Sequence, residues 1–352
     1  MRFFETDGLP RFEAPFRSGS FASLRLSWFE ENRRGLCHLR RRVESHTGMT
    51  KLKKKWLKFV LFGTILASIP TLASIPAQAS LCKPAEDDGY EHLDQGFHAL
   101  YDLDFAGGES TFVAWETLHP RNPLAPAARA SGYLFQEFER LGVLKAEIFT
   151  DDQRFVQRNR PVPSVELKTR FNQELAMANA LADYMLAQNP QSPDALLAKT
   201  LVYGLKADYA GLIEKRNMAA LSFTKEGRGW AERLLRVDPG CYDAYLALGA
   251  ENYLVAIKPA VVRWFAKLGG ARANREQGVR ELMLTAENGR FLKPFAKLLL
   301  VLVAQRDHDP AAARRLLAEL QQEFPNNSLY GDELTKLDSR FKQPANSKGT
   351  GE

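Results

Sequence analysis

Cysteine and histidine are scarce in this chain, whose 352 residues include three Cys and six His. So few cysteines exclude a disulfide-dense scaffold, and no Cys-x-x-Cys pair is present for zinc binding or disulfide exchange. No two histidines stand four residues apart with a glutamate between them, the spacing that puts two zinc ligands on one helical face. We therefore expect neither a metal nor a cofactor.

Sequence motifs of catalysis are also missing. The chain has no Gly-x-Ser-x-Gly nucleophile turn and no Walker-type phosphate loop. Two pairs of adjacent carboxylates occur, Asp87 with Asp88 and Asp151 with Asp152, but both lie in polar stretches typical of helix caps and solvated loops. The sequence predicts that the protein is not an enzyme.

The positive charge is concentrated near the N-terminus. The formal net charge of the chain is +6, yet residues 80–352 contain 34 basic and 36 acidic residues and are therefore slightly negative. A nucleic-acid-binding surface needs a concentrated basic face. We expect no nucleic-acid partner for the main part of the chain.

A hydrophobic run long enough to cross a bilayer is absent from the N-terminal region. The apolar segment Phe59 to Ile69 has 11 residues, whereas a membrane-spanning helix needs about 20. Five lysines precede this segment and the small-residue triplet Ala77-Gln78-Ala79 follows it. These are the three parts of a secretory signal peptide, and the alternative is a membrane anchor that is never cut.

This pattern predicts export to the periplasm or the cell envelope. The signal peptide is assigned to residues 49–79, with translation starting at Met49 and cleavage between Ala79 and Ser80. Residues 1–48 are then a non-structural upstream extension. After cleavage only Cys82 and Cys241 remain, and in an oxidising compartment they either pair or stay as two thiols.

Beyond residue 85 the apolar residues recur at spacings of three and four, which predicts helices throughout. Four turns align on Pro120, Pro190, Pro239 and Pro325. Twelve residues before each of these prolines stands a small residue, so that two helices can approach closely at that point. The four small residues are Gly108, Ala178, Gly227 and Ala313.

The pattern of Gly96, Gly108, Phe112 and Pro120, together with Gly249 in a later unit, resembles the tetratricopeptide repeat (TPR) family, in a divergent bacterial exported form. The resemblance covers about residues 86–337. It implies an all-α fold, a right-handed superhelix of five to seven stacked helix pairs within residues 80–339. Residues 340–352 are rich in Lys, Ser, Asn and Gly, a composition that predicts a disordered tail. The intervals between the four prolines are not multiples of the 34-residue TPR period, so insertions interrupt the repeats.

The same resemblance implies an interaction scaffold that binds a protein or peptide partner in a concave groove. Its partner-facing positions correspond here to Phe97, Tyr101, Leu201, Tyr253, Gln305 and Arg306. This face is apolar and aromatic. Either it binds an apolar or aromatic segment, or inserted loops cover it and it is core, and the accessibility of its aromatic side chains in the free protein decides between the two.

Two other functional classes are alternatives. The first is an exported helical enzyme, an α/α barrel acting on glycans, in which Asp102, Asp104 and Glu116 would converge on a cleft. The second is a lipid-binding or membrane-surface protein, suggested by the aromatic and basic residues between Lys258 and Arg275. The apolar residues of that segment could instead pack into the helical array.

Overall fold

The computed structural model describes residues 89–143, 162–257 and 270–342, with side chains up to residue 339. This part of the chain is all-α, without a strand, and belongs to a single compact unit. The prediction of an all-α fold is confirmed. The helices are α1 (Glu91–Tyr101), α2 (Phe105–Leu118), α3 (Leu124–Leu141), α4 (Val165–Gln188), α5 (Pro193–Asp208), α6 (Asn217–Val237), α7 (Ala244–Ala256), α8 (Arg275–Asn288), α9 (Lys293–Arg306), α10 (Pro310–Glu323) and α11 (Ser328–Lys342).

Local sequence signals set the helix ends. At the starts of α2, α4, α5, α8 and α10 a Ser, Asp or Asn side chain accepts a hydrogen bond from the backbone N–H three residues ahead. Such caps satisfy N–H groups that have no partner inside the helix. At the other end of α3, Gly142 adopts a left-handed conformation with φ of 56° and stops the helix. A π-helical turn, Tyr209–Ile213, continues α5.

All four predicted proline turns lie between helices. Pro120 connects α2 to α3, Pro190 connects α4 to α5, Pro239 connects α6 to α7 and Pro325 connects α10 to α11. Within the described ranges the helices pack as five pairs, α1 with α2, α3 with α4, α5 with α6, α7 with α8 and α9 with α10, and α11 packs on α10. Neighbouring pairs also contact one another, for example α2 with α3 and α8 with α9.

The small residues ahead of these prolines are buried at helix contacts. Ala178 and Ala313 have no exposed surface. A Cβ added at Gly108 would stand 2.9 Å from the Leu100 side chain on α1, and one at Gly227 would stand 3.5 Å from Tyr203 Cβ on α5. The backbones of α7 and α8 also approach closely, because a Cβ on Gly249 would lie 2.9 Å from the Gly278 carbonyl oxygen.

The first helix contacts the C-terminal helices and their turns. The guanidinium of Arg290 donates to the carboxylate of Asp94 at 2.7 and 2.5 Å. The rings of Phe97 and Phe291 have centroids 5.2 Å apart. In addition, Asn327 Nδ2 donates to the carbonyl oxygen of Tyr101 at 2.7 Å. Residues almost 200 positions apart are therefore held together.

Several predictions concern residues outside the described ranges. These are the upstream extension, the signal peptide with its cleavage site at Ala79 and Ser80, and most of the segment between Lys258 and Arg275. None of the described helices is long and apolar enough to cross a membrane. The last one, α11, runs three residues into the segment predicted as a disordered tail.

Candidate functional site

A cavity of about 340 Å³ lies where the first and last described helices meet. Its walls come from four helices, α1, α3, α9 and α11, together with the turn that precedes α11. The walls are far apart in sequence, and the contacts between α1 and the Asn326-Asn327 turn hold them in place. Asn326 contributes a backbone N–H that donates to Asp102 Oδ1 at 2.8 Å.

Five aromatic side chains line this cavity, and we call them the aromatic wall: Tyr101, Phe135, Phe138, Phe295 and Tyr330. Phe135 connects several of them, because its ring centroid lies 5.5 Å from that of Tyr101 and 6.1 Å from that of Phe295. Stacked and tilted pairs at these separations are favourable arrangements for aromatic rings. The wall is consequently rigid and largely apolar.

Two tyrosine hydroxyls belong to this wall. Tyr101 is 5% exposed, and its hydroxyl is buried without a hydrogen-bond partner of normal geometry, although the Phe295 backbone lies close to it. Burial raises the pKa of Tyr101, and the neighbouring Tyr330 raises it further. Burial also raises the pKa of Tyr330, as do the nearby carboxylates of Glu323 and Asp102. Both phenols therefore remain protonated at neutral pH.

The rim of the cavity is polar. Arg140 on the rim donates from two nitrogens to Glu137, both at 2.8 Å. Lys336 forms an ion pair of 2.9 Å with Glu333. Glu139 and Asp332 are exposed. The lining of the cavity is therefore mixed, with an aromatic wall on one side and about as much polar surface elsewhere, and binding sites use such polar groups to orient a ligand.

Of the predicted binding residues, Tyr101 alone lines this cavity. Phe97 is 4% exposed, Leu201 7% and Tyr253 2%, so these side chains are core. Phe97 packs on Phe112, and Tyr253 packs with Leu282 in a second apolar cluster. The aromatic members do not meet the condition of accessibility that a partner-facing position requires.

Gln305 and Arg306 are half-buried at the end of α9 and do not line the cavity. The six predicted residues thus do not form one surface in the described part of the chain. The physical reason differs along the chain, because Phe97 is covered by Phe291 in the turn before α9, whereas Tyr253 is packed against α8 and α9.

The carboxylates of the alternative enzyme hypothesis are each engaged by a different partner. Asp102 accepts hydrogen bonds from Asn326, Asp104 caps α2, and Glu116 forms an ion pair with Arg129. They do not converge on one cleft. Within the described ranges, no group of three His, Cys, Asp or Glu side chains is placed to hold a metal ion.

No protein-family model matches this sequence, and no curated protein is significantly similar to it. The interpretation of the site therefore depends on its own chemistry.

The sequence contains one signal of the cavity, at the position five residues after each turn proline. After each of the first three prolines this residue is an alanine, and none of the three alanines has exposed surface: Ala125, Ala195 and Ala244. The fourth turn has Tyr330 in the same column. The large ring at α11 packs on Phe324, with centroids 6.3 Å apart, and contributes a wall of the cavity.

Proposed function

We propose that this protein is an exported, non-catalytic binding protein, a right-handed superhelix of TPR-like helix pairs that holds a segment of a partner protein or peptide. Five consecutive pairs with small residues at their contacts support the architecture. The separate structural partners of Asp102, Asp104 and Glu116 support binding rather than glycan hydrolysis.

The observation that carries this proposal is the cavity enclosed by α1, α3, α9 and α11. Its volume of about 340 Å³ lies at the lower end of the range found for ligand sites, so it suits one inserted side chain better than a long segment. Aromatic residues that surround a single inserted group are typical of binding hot spots. We place the docking site here, and the buried groove positions instead stabilise the fold.

A peptide array tests the proposal. Purified protein is incubated with an array of capped 12-residue peptides, beside a variant in which Leu298→Trp fills the cavity from α9. Leu298 is a half-buried lining residue. The matched control is Leu118→Trp, the same change at a residue on α2 that is 65% exposed.

We expect a subset of peptides to bind the wild type and the Leu118→Trp variant and to lose binding to the Leu298→Trp variant. Binding that is identical in all three proteins would refute the cavity as the docking site. Melting midpoints of the variants establish that each is folded.

Export is the second part of the proposal. Cys241 is disulfide-bonded, and its partner in the chain lies outside the described ranges. Stable disulfides are characteristic of oxidising compartments, which supports export. N-terminal sequencing of protein recovered from the cell envelope should begin at Ser80, and a mature N-terminus within residues 1–48 would contradict the predicted leader.

A further inference from the structure

The charged groups around the cavity are unevenly compensated. Both cationic side chains of its lining are already neutralised, Arg140 by Glu137 and Lys336 by Glu333. By contrast, the side-chain carboxylates of Glu139 and Asp332 are exposed and are paired with no other described residue. In the described part of the chain, the rim therefore has two carboxylates without an ion-pair partner.

Further acidic groups act on the interior. Glu323 and Asp102 both raise the pKa of the Tyr330 phenol, which places their negative charge close to the aromatic wall. Glu323 is only loosely compensated, since Lys297 lies 3.8 Å away and is also paired with Glu319 at 3.1 Å. The carboxylates of Glu323 and Asp102 therefore add to the negative charge of the rim.

Aromatic rings reinforce this preference for positive charge. The face of an aromatic ring attracts a cation, and the attraction is stronger where water is excluded. Five such rings line this cavity, and two of them, Phe135 and Phe295, are half-buried and offer exposed ring surface, whereas the other three are buried behind them. An anionic rim together with an aromatic wall is the combination that binds ammonium and guanidinium groups.

We propose that the cavity accepts the cationic end of a lysine or arginine side chain of the bound peptide, with the charge against the aromatic wall and attracted by the carboxylates of Asp332 and Glu139 at the rim. This inference deepens the proposed function and rests on it. The peptide source is favoured over a free small cation because the uncompensated acids are exposed at the rim, where neighbouring residues of a bound chain would also meet them.

Capped pentapeptides test the proposal. Each has four glycines around a central arginine, lysine, citrulline or norleucine, and tetramethylammonium chloride serves as the free small cation. Binding to the full-length exported protein is measured by saturation-transfer NMR at low salt, because screening weakens contacts between exposed charges. We expect the arginine and lysine peptides to bind at least about fivefold more tightly than their neutral counterparts.

Two variants locate the bound cation. Asp332→Asn removes one rim charge and should weaken the arginine peptide about two- to fivefold. Phe295→Leu replaces one ring of the wall by an apolar side chain and should weaken it about threefold to fivefold. The matched control, Glu287→Gln, changes an exposed acid on α8 that does not line the cavity, and it should leave the affinity unchanged.

The outcomes separate this inference from the proposed function. Equal binding of the citrulline and arginine peptides, or no binding of either cationic peptide up to about 10 mM, would overturn the cation preference. Stronger binding of tetramethylammonium than of the peptides would overturn the peptide source. If the peptides that lose binding to the Leu298→Trp variant contain no lysine or arginine, the proposed function is supported and the preference for a cation is refuted.

Discussion

At the scale of single residues, Asp208 has the most unusual ionisation among the described acids. Burial raises the pKa of its carboxyl group to about 7. The residue ends α5, immediately before the π-helical turn. A carboxyl group whose pKa is higher in the folded than in the unfolded state binds its proton more tightly when folded, so stability falls as the pH rises between the two pKa values.

We therefore predict that Asp208 makes the protein less stable as the pH rises from about 4 to about 7. Asp208→Asn should match the wild type near pH 4 and exceed it at pH 8, by an amount on the order of 2 kcal/mol. Urea unfolding at pH 4, 5.5 and 8 gives the free energy of unfolding of both proteins. The other titrating groups are the same in both, so the difference between the two proteins reports on Asp208. Parallel pH profiles would show that the carboxyl group is not desolvated.

At the scale of secondary-structure elements, the contacts between paired helices depend on small side chains. Ala313 on α10 is fully buried, whereas Ala311 on the same helix is exposed. We predict that Ala313→Leu destabilises the protein by about 1 to 3 kcal/mol, because the larger side chain overpacks the contact. Ala311→Leu should change stability by less than about 0.5 kcal/mol. The urea unfolding midpoints of the two variants measure this difference. Equal midpoints would mean that the alignment of the repeats, which places Ala313 at a helix contact, is incorrect.

At the scale of the whole molecule, an ion pair connects the first helix to the C-terminal half. The Arg290 side chain is 2% exposed and its partner Asp94 is 36% exposed. We predict that Asp94→Asn costs about 1 to 3 kcal/mol, because the buried guanidinium then faces a neutral amide. Amide hydrogen exchange should accelerate in α1 and α2 before the other helices.

A matched pair exists on the surface. Arg314 and Asp338 are 2.9 Å apart, with side chains 57% and 41% exposed, and Asp338→Asn should cost less than about 0.5 kcal/mol. If Asp94→Asn and Asp338→Asn destabilise the protein equally, the first helix does not form its contact with the C-terminal half in solution.

The disulfide of Cys241 makes a second prediction at this scale. Cleavage after Ala79 would remove Cys37 and leave Cys82 as the single intrachain partner. We expect mass spectrometry of the exported protein without reduction to show one linked peptide containing Cys82 and Cys241. Serine at either position should lower stability by about 2 to 4 kcal/mol. A free Cys82 thiol in the exported protein would exclude this pairing.

The all-α class, the four helix connections at Pro120, Pro190, Pro239 and Pro325, and the buried small residues before them could all be predicted from the amino-acid sequence. These features depend on interactions within a few turns of one helix or between consecutive helices, and local spacing records such interactions directly. One residue is enough to predict each of these features, because a proline ends a helix and a small residue lets two helices come into close contact.

Only the tertiary structure decided that Phe97 and Tyr253 are core and that Tyr101 lines a cavity with Phe135, Phe295 and Tyr330. These rings come from different helices, and Tyr101 and Tyr330 are more than 200 residues apart in the sequence. The periodicity of one helix does not specify which distant helix will pack against it. The cavity depends on Arg290 reaching Asp94 and on Asn327 reaching Tyr101, and the burial of Tyr253 depends on its packing against α8 and α9. Such long-range contacts form only when the whole array is folded, so they determine the site without leaving a local pattern.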